Sequence, residues 1–480
     1  MVGGLGMLPG RGGAASPATG TCAQDFVPPK VSKVSNASAC ASPTGVDLSV
    51  GLTDYGINKV PFSALAKPAK GQTVSDPDMP GATITRITDA VADFKAANVI
   101  PAYPTCQAWN CDETRLVLYT QGGSGGGQHV MYDGNTYAFI NSIDINPSDI
   151  EQFWWDRVDP NTLYYLDNHD ASGTTVSQML AFNVETGAKT VIHDFAADKA
   201  VYGWAKKGPI RAGYPFFIGA PNNDIWGLGA GGIPNIDGYE AVNVFGWQRS
   251  TGKITLYAGL PSAQARTNVP TPLPSGKGWF YNNTSAAAAS SYVTDIYDIN
   301  GVKIGSVPFS TNEHGGSCQN AAGDDLVIGN QYDTAQVGNL IVANLTQRTV
   351  KTLVGAANGY GYPRTGTLIG ATAYNNPGWA VAGIVGDPHQ KSGTFLDQEV
   401  VIANADTGVV RRVCRHRSTG YWTSAPINNY WAQPNVTLSP SGTRILVQSD
   451  WGNADPSNPV VDPNAISDTY VITLPSYGAC

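Results

Sequence analysis

Six histidines are spread over 480 residues, and His314 stands directly after Glu313 in the stretch TNEHGGSCQN, residues 311–320. Imidazole exchanges a proton near neutral pH, so a histidine at a concave site is a natural general base. Counting back equal distances from the turn glycines, or their equivalents, sets His314 level with Gln433 in WAQPNV, Gln152 in IEQFWW and Tyr214 in AGYPFF. Arginines that could neutralise an acidic substrate are Arg211 beside Tyr214, Arg364 in GYGYPRTG, and Arg415 with Arg417 in CRHRSTGYW. Trp154, Trp155, Trp226 and Trp422 are available to stack on sugar rings. This set suits β-elimination on a uronic acid. That reaction needs the carboxylate neutralised, a base at the weakly acidic C5 proton, and an acid at the departing glycosidic oxygen.

Other chemistries lack their residues. There is no G-x-S-x-G elbow, no H-E-x-x-H, no C-x-x-C pair and no repeated S-x-D-x-G-x-x-W turn. No pair of carboxylates stands out as a glycosidase dyad, although the acidic residues are numerous enough to form one in space.

The elements that must carry these residues are strands. CQAWNCDETRLVLYT, WWDRVDPNTLYYLD, CQNAAGDDLVIGNQ and NVTLSPSGTRILVQSD each read as a strand, a tight polar turn and a second strand. Segments such as QMLAFNVETGAKTVIHDF and EVVIANADTGVVRRVC supply a third and a fourth. Four antiparallel strands recurring about every 45 to 55 residues is the period of a β-propeller blade. Units near 100–145, 148–196, 207–259, 267–310, 312–355, 366–415 and 431–474 predict an all-β, seven-bladed propeller spanning 76–480. Residues 1–75 are read as an irregular extension that wraps it. The last unit has three strands, and ATITRITDA, residues 82–90, is a lone strand that would complete it and remove the exposed edges.

In this register the a–b and c–d turns are short, whereas the b–c and d–a connections on the opposite face are long. All six histidines are predicted on that long-loop face. His129, His169 and His389 fall in b–c loops, His193 and His416 follow fourth strands, and His314 opens a first strand. Together with Arg211, Gln152, Gln433, Trp154 and Trp226, the three loop histidines are candidate substrate ligands.

Composition agrees with a strand-rich fold. Charged residues are 14%, against about a quarter in an average chain, while glycine numbers 55 and proline 32. A net charge of −8 argues against nucleic-acid and anionic membrane partners, both of which require a basic footprint. The N-terminal twenty residues contain no apolar h-region, so a secretory signal is expected to be absent or already removed. Seven cysteines and sequons at Asn36, Asn282, Asn283, Asn344 and Asn435 fit an extracellular protein. A local bridge between Cys106 and Cys111 is expected from their spacing.

The motifs YPTCQAWNCDETRLVLYT, EHGGS and QPNVTLSPSGTRILVQSDWG resemble the seven-bladed β-propeller polysaccharide lyases, over most of residues 80 to 480. That group includes oligogalacturonate, ulvan and rhamnose–glucuronate lyases. In the oligogalacturonate branch, resemblance makes His314 and Gln433 the holders of one divalent cation, calcium or manganese. In the ulvan branch it makes His314 the base, Tyr214 the acid, and Arg364 or Arg211 the carboxylate clamp. The resemblance implies a secreted, monomeric lyase of an acidic polysaccharide, with no organic cofactor. A non-catalytic carbohydrate- or protein-binding propeller and a propeller glycoside hydrolase are the alternatives.

Overall fold

A computed structural model describes residues 44–122, 126–147, 150–169, 175–198, 210–212, 223–233, 240–256, 269–283, 292–309, 315–330, 339–360, 367–386, 395–420, 430–462 and 464–479. These residues form seven antiparallel sheets arranged in a β-propeller. Blade 1 runs from Asn98 to Ser142, blade 2 from Phe153 to Asp194, blade 3 from Ile210 to Leu256 and blade 4 from Thr271 to Val307. Blade 5 spans Gly315 to Val354, and blade 6 spans Thr367 to Arg415. Blade 7 takes three strands from Val436 to Thr473 and its fourth from Thr83–Arg86, which pairs antiparallel with Asp468–Thr473. The lone N-terminal strand therefore closes the ring, as predicted. The two-residue strand Thr73–Val74 adds a fifth member to that sheet.

The short turns are built by local side-chain bonds. Asp133 Oδ1 accepts from the amides of Asn135 and Thr136, Asn183 Oδ1 from Glu185 and Thr186, and Asn404 Oδ1 from Asp406 and Thr407. Such Asx turns need only neighbours in the chain, which is why the turns were legible in sequence.

Blades stack face to face, and a separate apolar cluster fills each of the seven interfaces. Leu118, Tyr132 and Val471 belong to the seam between blades 7 and 1. Trp226, Trp247 and Tyr164 pack between blades 2 and 3, and Ile402, Val436 and Tyr470 between blades 6 and 7. Backbones approach closely at these seams. A Cβ on Gly227 of blade 3 would fall 1.6 Å from the Pro270 carbonyl oxygen, just ahead of blade 4. Gly227→Ala is therefore expected to force the blades apart and cost about 1–3 kcal/mol, read as a lowered urea midpoint.

The segment 44–75 runs against blades 6 and 7. Leu48 joins their core, Leu65 N–H donates to the Ala454 carbonyl at 2.8 Å, and the Trp451 indole donates to the Leu65 carbonyl at 2.9 Å. Three arginines grip the same segment. Arg412 donates to the Asn58 carbonyl, Arg415 to Val60 and Arg417 to Ser63. Arg415 and Arg417 are thus buried in ion pairs, with Glu399 at 3.1 Å and Asp76 at 3.6 Å respectively. They do not form the substrate-facing basic patch expected from their spacing. Cys106 keeps its thiol, buried in the core, so the predicted Cys106–Cys111 bridge does not form.

Candidate active site

First strands lie nearest the ring axis, and their long-loop ends converge on the channel mouth. At blades 1, 2, 6 and 7 the described residues form a small cleft lined by Tyr103, Glu151, Gln433, Asn435, Gln448 and Trp431, together with apolar residues that include Leu368 of blade 6. Its interior of ≈ 30 Å³ accommodates about two water molecules.

Each wall is held from behind. The chain reaches Gln433 through a 3-10 turn at Tyr430–Ala432, which Ser418 Oγ fastens by donating to the Ala432 carbonyl. Gln448 ends the second strand of blade 7 and donates through Nε2 to the Trp431 carbonyl at 2.7 Å. Its Oε1 is buried without a partner among the described residues, so the cleft has an acceptor to which no described residue donates. Glu151 is 8% exposed, and its carbonyl accepts from Cys106 Sγ at 3.3 Å. His129 Nε2 bonds the adjacent Ile150 carbonyl at 2.9 Å.

That bond changes the reading of His129. It lies inside the third strand of blade 1, Gln128–Asp133, at 3% exposure, and braces the wall that carries Glu151. A carbonyl accepts, so Nε2 carries a proton, and burial favours the neutral ring over the cation. Burial pulls its pKa down to about 4. His416 behaves alike: Nδ1 accepts from the Ser418 amide, Nε2 donates to the Ile384 carbonyl, and burial brings it to about 4. Below the ordinary 6.5, the unfolded chain takes up protons that these folded rings refuse. Stability is therefore unaffected above pH 6.5 and falls as pH drops from 6.5 towards 4. The difference of about 2.5 pH units amounts to roughly 3 kcal/mol for each ring. His129→Gln, which keeps a donor, is expected to flatten this acid loss, measured as urea midpoints at about pH 7 and pH 4.5.

Of the four residues aligned at the channel mouth, two are described. Gln433 lines the cleft. Gln152 is fully buried, and its chain neighbour Glu151 takes the lining place. His314, Tyr214, Arg364 and His389 lie outside the described residues, as does Trp422. Arg211 belongs to the first strand of blade 3, Ile210–Ala212, whose side chains are likewise outside the description. His169 is the last residue of a strand, Thr162–His169, and His193 sits within one, Lys189–Asp194, rather than after it. Trp226 is 1% exposed, with its ring 5.2 Å from that of Trp247. Trp154 packs against the same cluster, and Trp155 is buried. These three belong to blade cores, contrary to the stacking role expected of them. Both faces of a blade are covered, so a tryptophan on either face is buried.

Tyr103, Glu151, Asn435, Gln448 and Trp431 were not singled out from the sequence. Glu151, Trp431 and Asn435 lie within two residues of the aligned glutamines, so the alignment located the region but not each lining side chain. No histidine, lysine or arginine lines the described part of the cleft, and no group of three His, Cys, Asp or Glu that could hold a metal occurs among the described residues. The described wall offers amides, one carboxylate, a phenol and an indole, a set suited to hydrogen bonding and stacking on sugar hydroxyls and rings.

Among solved structures, the chain resembles an oligogalacturonate lyase in complex with manganese, with a TM-score of 0.53 and 13% identity over 86% of this chain and 100% of the other. It also resembles the oligogalacturonate lyase of Vibrio parahaemolyticus, with a TM-score of 0.53 and 11% identity over 85% and 99%. At such identities the likeness is one of fold. No protein-family description and no curated protein sequence matches the chain.

Proposed function

We propose that this protein is an extracellular polysaccharide lyase that cleaves a uronic-acid-containing polymer by β-elimination, at a rhamnose–glucuronate or related linkage. The observation that carries this reading is the cleft at the channel mouth of a seven-bladed ring. The ring shares its fold, over nearly its whole length, with oligogalacturonate lyases.

In this reading His314, directly ahead of the first strand of blade 5, removes the C5 proton. Tyr214 returns a proton to the leaving glycosidic oxygen. The C4–O bond breaks, a C4–C5 double bond forms, and Arg364 or Arg211 faces the uronate carboxylate. Gln433, Asn435 and Glu151 hydrogen-bond the flanking sugar hydroxyls and keep the ring oriented.

Carboxylate and amide oxygens are hard donors, and the unsatisfied Gln448 oxygen belongs to the same set, so the cleft's chemistry fits a divalent cation such as calcium or manganese. Gln433 would hold it; His314 is the second candidate ligand only where another group takes the C5 proton, because an imidazole bound to a metal has no free lone pair with which to act as base. When bound, it would offset the charge that builds on the uronate carboxylate.

The test is ultraviolet absorbance during incubation with a panel of uronic-acid polysaccharides, with and without a chelator. Growth of the unsaturated-uronate signal is expected, with loss on chelation assigning the cation. New reducing ends without absorbance would replace the reading with a hydrolase. Binding without any cleavage across the panel would replace it with a non-catalytic propeller.

A further inference from the structure

The short-turn end of the channel carries a charge that no described residue neutralises. Arg157 lies in the a–b turn of blade 2, and its guanidinium carbon is 3.9 Å from the centre of the Tyr374 ring, in the a–b connection of blade 6. These blades are not neighbours: blades 7 and 1 separate them on one side, and blades 3, 4 and 5 on the other. A contact between them must therefore cross the ring axis. Gln107 of blade 1 ties the same end to the neighbouring blade 7 and to blade 6 beyond it, its Nε2 donating to the carbonyls of Leu438 and Thr372 at 3.0 Å each. Together these contacts make a floor to the channel, at the end away from Glu151 and Gln433.

Arg157 is half-buried. Its backbone N–H donates to Asn223 Oδ1 at 3.1 Å, but its guanidinium makes no hydrogen bond or ion pair with any described residue. The carboxylates around the pair, Glu113, Asp112, Asp156 and Asp159, are engaged elsewhere: Glu113 pairs with Arg444, and Asp112 accepts from the Thr114 amide and hydroxyl. Asp156 accepts from the amides of Val158 and Asp159, from Asn223 Nδ2 and from the Tyr164 hydroxyl. Asp159 accepts from the Asn161 amide and the Thr162 hydroxyl. The Tyr374 hydroxyl is buried without a partner. Burial pushes its pKa up to about 12, so it keeps its proton and remains a donor.

A half-buried cation without an ionic partner gains from a counter-ion that takes the place of part of its lost water, and the planar fork of a guanidinium matches two oxygens of one anion. We infer that Arg157 and Tyr374 form a site for a small oxyanion, a carboxylate or an inorganic phosphate, at the floor of the channel. The anion takes two N–H bonds from Arg157 and one O–H bond from Tyr374. It links blade 2 to blade 6 across the axis and so stabilises the closed ring by mass action. This site does not depend on the proposed lyase activity.

The experiment is calorimetric titration of the intact protein with inorganic phosphate and, separately, sodium acetate, with thermal midpoints compared against sodium chloride of equal ionic strength. One equivalent is expected to bind and raise the midpoint. Phosphate alone would assign an inorganic ion, and acetate alone a carboxylate source. Arg157→Lys keeps the charge but loses the fork and is expected to bind about tenfold more weakly or worse, with Tyr374→Phe weaker by a smaller factor. Arg157→Met should abolish binding, and if it does not fold, the Lys and Phe variants decide. Absence of anion-specific binding in the unmodified protein, or unchanged affinity in Arg157→Lys and Tyr374→Phe, would overturn the site.

Discussion

Replacing Glu399 by alanine is expected to destabilise the protein by about 3–5 kcal/mol, the largest effect we anticipate on folding. Glu399 is wholly buried. Its two oxygens take Arg412 Nε and Nη2, both at 2.6 Å, and Oε1 also takes Arg415 Nη2 at 3.1 Å. Both arginines are nearly inaccessible. Removing the carboxylate strands two cations in a low-dielectric interior, where neither can recover water. The loss spreads to the segment 44–75, because the same guanidiniums donate to the carbonyls of Asn58, Val60 and Pro61, and Phe62 lies under Arg415 at 4.4 Å. Urea denaturation should register the destabilisation, and limited proteolysis should find new cleavage between residues 56 and 63. Glu399→Gln, which keeps the shape and two hydrogen-bonding groups, should lose less. Equal stability of Glu399→Ala and the unmodified protein would mean that the clasp carries no net energy.

On activity, the largest expected effect belongs to His314→Ala, a fall of about 10² to 10⁴ in turnover on the polymer that gives an ultraviolet signal. Only the proton transfer at C5 is removed, so affinity for the polymer and the urea midpoint should stay near those of the unmodified protein. Gln433→Ala offers the contrast, since an orienting or cation-holding side chain should raise the substrate or metal concentration needed more than it lowers turnover. Single-turnover rates with enzyme in excess over polymer, measured across a range of enzyme concentrations, separate the two. Unchanged turnover in His314→Ala would remove that histidine from the base's role even if the protein proves to be a lyase.

Much of the fold was legible in the chain. Seven units, their boundaries within a few residues and the closure of blade 7 by residues 83–86 could all be read, because strand alternation and Asx turns such as those at Asp133 and Asn404 depend on residues a few places apart. The strand Thr73–Val74 escaped because two residues carry no period. The candidate cleft was half legible. Aligning blades found the channel-mouth ends of blades 2 and 7 through Gln152 and Gln433, since equal distance from a turn means equal height on the ring.

Only the tertiary structure decided which side chains face solvent. His129, Trp226, Arg415 and Arg417 read as site residues from their types and loops, yet each is buried by something remote in sequence. Trp226 is covered by its partner strand and by blade 2, and Arg415 by carbonyls more than 350 positions earlier. The cleft likewise joins Tyr103 and Glu151 to Gln433, and the Arg157–Tyr374 pair spans the axis between blades that never touch side by side. A strand's period states which residues share a face, and turn chemistry states where the chain reverses. Burial is set by what the ring brings against that face, and ring closure is a long-range event that no local pattern encodes.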